Sequence, residues 1–238
     1  MRVLPVHPFN FTPRQAMDLQ LRLAKRVSTR SFSGEVRTLA GADVSYDFST
    51  GCFFAAVIVL SWPGQEVLEI ARSHGRVRFP YVPGLLSFRE LPPILNALRR
   101  LRTTPDLLFC DGQGLAHPRF FGLACHLGLF VGIPTIGCAK SLLVGEHSRV
   151  PRCRGGYSTL TFRDRQVGVA LRTREGVREI FVSPGHRISI QQAADWAMRS
   201  AGRFRIPEPT RLADKEVSRM RREGVKQSRR PKFREGLC

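Results

Sequence analysis

Two short apolar runs, DLLFCD at 106–111 and PTIGCAK at 134–140, leave this chain few folds to choose from. Each is short and continuously apolar up to its last residue, as a strand buried on both faces of a parallel sheet would be. Between them PRFFGLACHLGLFVG, 118–132, reads as a helix. Strand, helix, strand is the connection that a parallel pair requires. Upstream, VRTLAGADVSYD (36–47), CFFAAVIVLSW (52–62) and EVLEIARSHGRV (66–77) are β-rich and separated by the turn sequences FSTG and PGQ. They predict an antiparallel three-strand meander. TPRQAMDLQLRLAKRVSTR (12–30) repeats apolar residues at helical spacing after a Thr-Pro start, and ILNALRRLR (94–102) is also helical. Residues 157–186 give three more strand-like pieces; 189–201 and 209–224 give two helices. The expected fold class is α/β, one mixed sheet with helices packed on it.

The charge says what kind of partner such a sheet serves. Against 19 acids stand 38 lysines and arginines, a net +19. Residues 211–238 carry ten basic and four acidic side chains, which leaves +13 over the first 210, so the excess is global. A field of that sign attracts polyanions, and the arginine fork suits phosphate. Nucleic acid is the expected partner, ahead of an anionic membrane. No apolar run reaches membrane-spanning length and MRVLPVHPFN has no signal-peptide core, so the expectation is a cytoplasmic protein. Cysteines 52, 110, 125, 138, 153 and 238 form no C-x-x-C pair, which argues against a zinc site or a disulfide framework.

Three acids stand at the ends of the expected elements. Asp43 lies in the first strand, Asp111 ends DLLFCD, and Glu90 follows PYVPGLLSFR. Taken singly, each has an ordinary reading. Asp111 before Gly112 suits a turn, Asp43 suits a surface edge, and Glu90 could close a capping box with Ser87. That box would put Pro92 and Pro93 inside a helix, so the sequence predicts a helix starting at Pro92, with Glu90 in the loop ahead of it. Taken together, carboxylates gathered at the ends of one sheet repel unless a cation binds, and the natural partner is a hard divalent ion. Lys140 ends the second buried strand, where it either snorkels to solvent or meets a phosphate. DGQGLAHPR presents His117 and Arg119 after two glycines and is not a phosphate P-loop. Pro80 and Pro83 stiffen the backbone around Tyr81, marking PYVPG as a built loop.

AGADVSY, PYVPGLLSFRE, DGQGLAHPR, PTIGCAKS, FVSPGH and PEPTRLAD, in this order over residues 40–214, resemble the endonuclease V family of deoxyinosine 3′-endonucleases. The resemblance implies an RNase H-like fold. It also implies that Asp43, Glu90 and Asp111 hold Mg²⁺, with Mn²⁺ as a substitute, and makes Asp214 a further candidate ligand. Lys140 and His117 then match residues that meet the scissile phosphate and the substrate strand. Tyr81, with Pro80, Val82 and Pro83, matches a wedge, and Gly84, Leu86, Gly112, Gly122 and Leu143 match the pocket around an extruded base. Phe120 stands where members often have a basic residue. The implied reaction is hydrolysis of the second phosphodiester 3′ to deoxyinosine, by a monomer with no membrane partner, leaving a 3′-hydroxyl and a 5′-phosphate. Residues 1–224 are expected as one catalytic domain and 225–238 as a basic, disordered extension. An endoribonuclease acting on inosine-containing RNA, a non-catalytic nucleic-acid-binding module and a generic RNase H-like recombinase are the rival readings.

Overall fold

The computed structural model describes residues 1–228. Helix α1 (Pro13–Ala24) opens on a reciprocal cap, with the Gln15 N–H on the Thr12 hydroxyl and the Thr12 N–H on Gln15 Oε1. It stops at Ala24 rather than running to 30: the Arg26 and Val27 N–H groups turn back to the Leu23 and Ala24 carbonyls, a tight 3₁₀-like closure. Strands β1 (Thr38–Asp47), β2 (Cys52–Ser61) and β3 (Val67–Arg76) form the antiparallel meander.

Helix α2 (Leu86–Leu98) departs from the sequence expectation, because Pro92 and Pro93 lie inside it. An interior proline costs a helix ~3 kcal/mol through its missing donor and its clash with the preceding turn. Against that, Leu91, Ile94, Leu95 and Leu98 are wholly enclosed, and each such side chain contributes roughly 1.5–3 kcal/mol. Packing wins over propensity here. Ser73 adds a hydroxyl hydrogen bond of 2.7 Å to the Pro93 carbonyl. Glu90 therefore sits on a helix, not in a loop. It is not a cap partner either, since Leu85 is the N-cap and makes no side-chain capping bond.

The two founding runs are β4 (Leu107–Cys110) and β5 (Thr135–Ala139), every residue of both buried, joined through α3 (Leu123–Val131). Strands β6 (Tyr157–Phe162), β7 (Arg165–Leu171) and β8 (Ile180–His186) follow, then α4 (Ile190–Ser200) and α5 (Glu208–Ser228). Helix α5 thus continues past Gly224, and residues 229–238 of the expected basic extension lie outside the described residues. All eight strands make one mixed sheet in the order β3-β2-β1-β4-β5-β8-β7-β6. The β1–β4 and β4–β5 pairs are parallel and the rest antiparallel.

Helices cover both faces. On one, Ala40, Ala42, Leu108 and Cys110 pack with Leu95, Leu98, Leu127 and Phe130 of α2 and α3. On the other, Leu39, Leu107, Phe109, Ile136 and Cys138 pack with Ala193 and Ala197 of α4. Among the described residues no helix is long and apolar enough to cross a membrane. Cys110, Cys125 and Cys138 are buried free thiols, as core-filling cysteines are.

Candidate active site at the ends of the parallel strands

Side-chain alternation carries three polar groups to one place. Leu39 on β1 faces the α4 layer, and Gly41 and Asp43, two and four residues on, keep that face. In β4 the series is Leu107, Phe109 and then Asp111; in β5 it is Ile136, Cys138 and then Lys140. Ala42 aligns with Cys110 and Cys110 with Gly137, so the three series end side by side. The Asp111 N–H donates to the Ala42 carbonyl at 3.4 Å, which puts Asp43 and Asp111 on adjacent strands, a spacing of about 4.8 Å.

Helix α5 closes over this face. A Cβ at Gly41 would overlap the Pro209 carbonyl, so the glycine lets α5 begin directly on β1. Farther along α5, an Asp214 carboxylate oxygen stands 4.0 Å from Lys140 Nζ. Glu90 arrives from the other layer, buried on α2.

These groups strain against one another electrostatically. Burial first, then the Asp111 charge, push the Asp43 carboxyl up to about 8, against the pull of the Val44 N–H. Glu90 is held well above the carboxylate range by burial and then by Asp43 and Asp111. Lys140 Nζ lies 2.5 Å from Asp111 Oδ2; burial works to lower its pKa, but the bond to Asp111 outweighs it and the shift is upward. The donor set is all hard oxygen, its repulsion is only partly offset, and one cation is already seated on it. A divalent ion suits that chemistry. Among the described residues no three acid, histidine or cysteine side chains form a ready-made ligand triangle. The fit is therefore one of donor type and charge, not of preformed coordination.

The stiff loop leads into α2, the helix that carries Glu90, and is held at both ends. Phe79 and Val82 pack against buried Leu85 and Phe88, while Pro80 and Pro83 point outward and Tyr81 is 68% exposed. Val82 is thus an anchor of the loop rather than part of its protruding edge. At the far end the Gly84 carbonyl accepts three hydrogen bonds, from Gln20 Nε2 at 3.1 Å, His117 Nε2 at 3.0 Å and an Arg119 NH2 at 2.7 Å. Gly84 has φ +76°, in the left-handed region, and a Cβ there would crowd Arg119. His117 is 4% exposed, with Nδ1 engaged by the Arg119 N–H. Burial, aided by Arg119, lowers its pKa to about 4, so it is a neutral donor that holds the loop.

Leu86, two residues past Gly84, and Leu143, three residues past Lys140, are exposed, whereas Gly122 is buried against the backbone of Gln113 and Gly114, just after Gly112. Phe120, in place of a basic residue, has the Arg165 guanidinium 5.3 Å from its ring centre, a cation supplied from β7. Sequence reasoning missed Gln20, Arg119 as a loop clamp, and Gly41. Gln20 did carry a signal: it is a polar residue at the helical spacing of buried Ala16 and Leu23, and it is wholly enclosed.

A family model described as Endonuclease V matches residues 21–215. The chain is 48% identical over 215 residues to an endonuclease V of Roseiflexus castenholzii, covering 90% of this chain and 96% of that relative. Among solved structures, the endonuclease V of Bacillus subtilis matches with a TM-score of 0.92 at 34% identity, covering 95% of this chain and 100% of that one. The endonuclease V of Ciona intestinalis, solved with a 24mer DNA containing an inosine followed by a ribo-adenosine, matches with a TM-score of 0.77 at 26% identity, covering 88% and 98%.

Proposed function

Because this chain belongs to the endonuclease V family, and so is a nuclease that acts on DNA, we propose that it is a divalent-metal-dependent repair enzyme for deoxyinosine. It cuts the second phosphodiester 3′ to the lesion and leaves a 3′-hydroxyl and a 5′-phosphate. The observation that carries this reading is the convergence of Asp43, midway along β1, with Asp111 and Lys140, which lie just past the ends of β4 and β5, and with Glu90 of α2, whose carboxyl is raised by the Asp43 and Asp111 charges.

Asp43, Asp111 and Glu90 are the residues to hold Mg²⁺ or Mn²⁺, with Asp214 at the edge of the set. When bound, such an ion lowers the pKa of water and offsets charge on the phosphate oxygens. Lys140 leaves Asp111 for the scissile phosphate and compensates the negative charge that builds there. Its bond to Asp111 keeps the ammonium charged and aimed at that end of the sheet. His117 acts by holding the Gly84 carbonyl, and through it the loop, rather than by touching the phosphate.

Recognition has separate parts. Extruding a base costs a few kcal/mol, least where pairing is already weak, as it is for inosine. Tyr81, held between Pro80 and Pro83, fills the gap in the stack with little entropy left to lose. Backbone around Gly84, Gly112 and Gly122, with Leu86 and Leu143, forms the receiving pocket. Hypoxanthine has an oxygen at C6, which backbone N–H groups can bind, and lacks the 2-amino group of guanine, which a tight pocket excludes. The catalytic domain runs to the end of α5 at Ser228 rather than stopping at Gly224.

The test is cleavage of matched inosine DNA, inosine RNA and undamaged DNA, each with Mg²⁺ and with chelator. Inosine DNA cut only with Mg²⁺, with 5′-phosphate ends, is the expected result. Preferred cutting of inosine RNA moves the substrate class, since the 2′-hydroxyl separates the two, and metal-independent cutting overturns the reading.

A further inference from the structure

We infer that a second cleft, on the Phe79 side of the Tyr81 loop, binds unpaired nucleotides of the strand opposite the lesion. The inference rests on the reading of Tyr81 as a wedge. A cleft of about 880 Å³ lies between the N-terminal segment, the end of β3 and α2, and it reaches Pro80, where the wedge begins. It falls within the roughly 300–1,000 Å³ range of ligand clefts. Its lining includes Arg76, Arg78, Arg99 and His74 and contains no aspartate or glutamate.

Ring faces stand among these charges. Phe9 and Phe79 line the cleft and are only partly buried, so part of each ring is open to it. Arg76 and Arg78 are exposed, and among the described residues neither has an acidic partner. Aromatic faces within a cationic groove are what single-stranded nucleic acid binds, through base stacking and phosphate contact. A second cavity, about 520 Å³, has no phenylalanine, tyrosine or tryptophan in its lining and includes Glu179. Its Arg172 is already committed to the Pro151, Val150 and Val177 carbonyls and to Glu179.

The topology says which strand enters. Pushing the lesion base out of the helix leaves its opposite base without a partner. The two ends of the wedge loop open on different surroundings: Gly84 faces His117 and Arg119, whereas Phe79 and Pro80 face the cationic cleft. The lesion base goes to the glycine end, and the bereft base, with its neighbouring phosphates, goes to the arginine end. A single-stranded substrate has no strand to place there.

The experiment measures affinity of the full chain for an inosine duplex and for the same inosine strand alone, in chelator, across a salt series. The proteins are the parent, Arg76→Ala/Arg78→Ala, Phe9→Ala and Tyr81→Ala. The double variant should lose roughly tenfold in duplex affinity and lower the salt slope by about 2, with less than a twofold change on the single strand. Its single-turnover cutting of saturated duplex should match the parent's. A 2-aminopurine opposite the inosine should be quenched on binding by the parent and brighter with Phe9→Ala. Equal losses on duplex and single strand, or no loss on either, overturn the inference. If Tyr81→Ala keeps full lesion selectivity while the double variant loses duplex affinity alone, the wedge reading fails and the cleft stands.

Discussion

The strand-end centre and the Tyr81 loop are built on opposite plans. Asp43, Asp111 and Lys140 are fixed by the register of three adjacent strands, in which Ala42, Cys110 and Ala139 beside them are buried. Tyr81 stands exposed on a loop secured by two partly buried side chains and one carbonyl. Chemistry needs donors held to a fraction of an ångström, which strands supply. Recognition needs a part that can enter a duplex, and that part must be exposed before it binds. The molecule separates the two tasks, so damage to one should leave the other measurable.

The largest effect should come from the strand ends. Asp111→Asn removes a carboxylate charge and loosens Lys140, and its loss of cutting should exceed the roughly 10–100-fold that follows from losing an outer-shell partner of a metal. Its preference for binding inosine DNA should stay within a few fold of the parent's, measured by competition against undamaged duplex. Next is Tyr81→Ala, which removes a ring worth about 1–3 kcal/mol of stacking. Lesion selectivity should fall by about tenfold or more, with single-turnover cutting of bound substrate preserved.

Gly84→Ala should act on the same side of the divide, less strongly. It forces a side chain into the left-handed region beside Arg119, at a cost of about 1 kcal/mol or more in stability. Selectivity should drop several fold, and thermal melting should reveal the strain. A separate effect, on stability rather than on cutting or selectivity, is its dependence on pH. With Asp43 raised to about 8, the folded chain binds more protons than the unfolded chain between about 4 and 8, so stability falls as pH rises through that window. In chelator, Tm should decline by roughly 10 °C between pH 5 and pH 9. Asp43→Asn should flatten the decline, and Mg²⁺ should reverse it in the parent. An unchanged slope in Asp43→Asn would place the burden on another group.

The same contrast explains what could be read from the sequence. Asp111 and Lys140 were legible because buried strands announce themselves by composition and alternation then fixes which residue lies beyond their ends, and Asp43 because it is an acid inside a β-rich run. The sheet order of the meander and the β4–α3–β5 unit was legible for the same reason. The start of α2 was not, because Pro92 and Pro93 signal a boundary locally, and only the burial of Leu91, Ile94, Leu95 and Leu98 reverses it. The partner of Gln20, whose burial alone had a signal, and the clamping role of Arg119 were hidden for a different reason. The shared target of the two side chains is a backbone carbonyl, 64 and 35 positions away in the chain, and a carbonyl has no sequence signature. Gly41 was hidden because its role depends on how closely α5 approaches β1.

The most direct test of the account is a calorimetric titration of Mn²⁺ into the DNA-free parent, Asp43→Asn and Tyr81→Ala proteins, run near pH 7 in buffers of different ionisation enthalpy. The parent and Tyr81→Ala should bind with the same affinity and release protons as the ion displaces them from the raised carboxyls. Asp43→Asn should bind far more weakly and release fewer protons. Equal binding by Asp43→Asn, or loss of binding in Tyr81→Ala, would contradict the claim that the carboxylate centre, and not the Tyr81 loop, holds the ion.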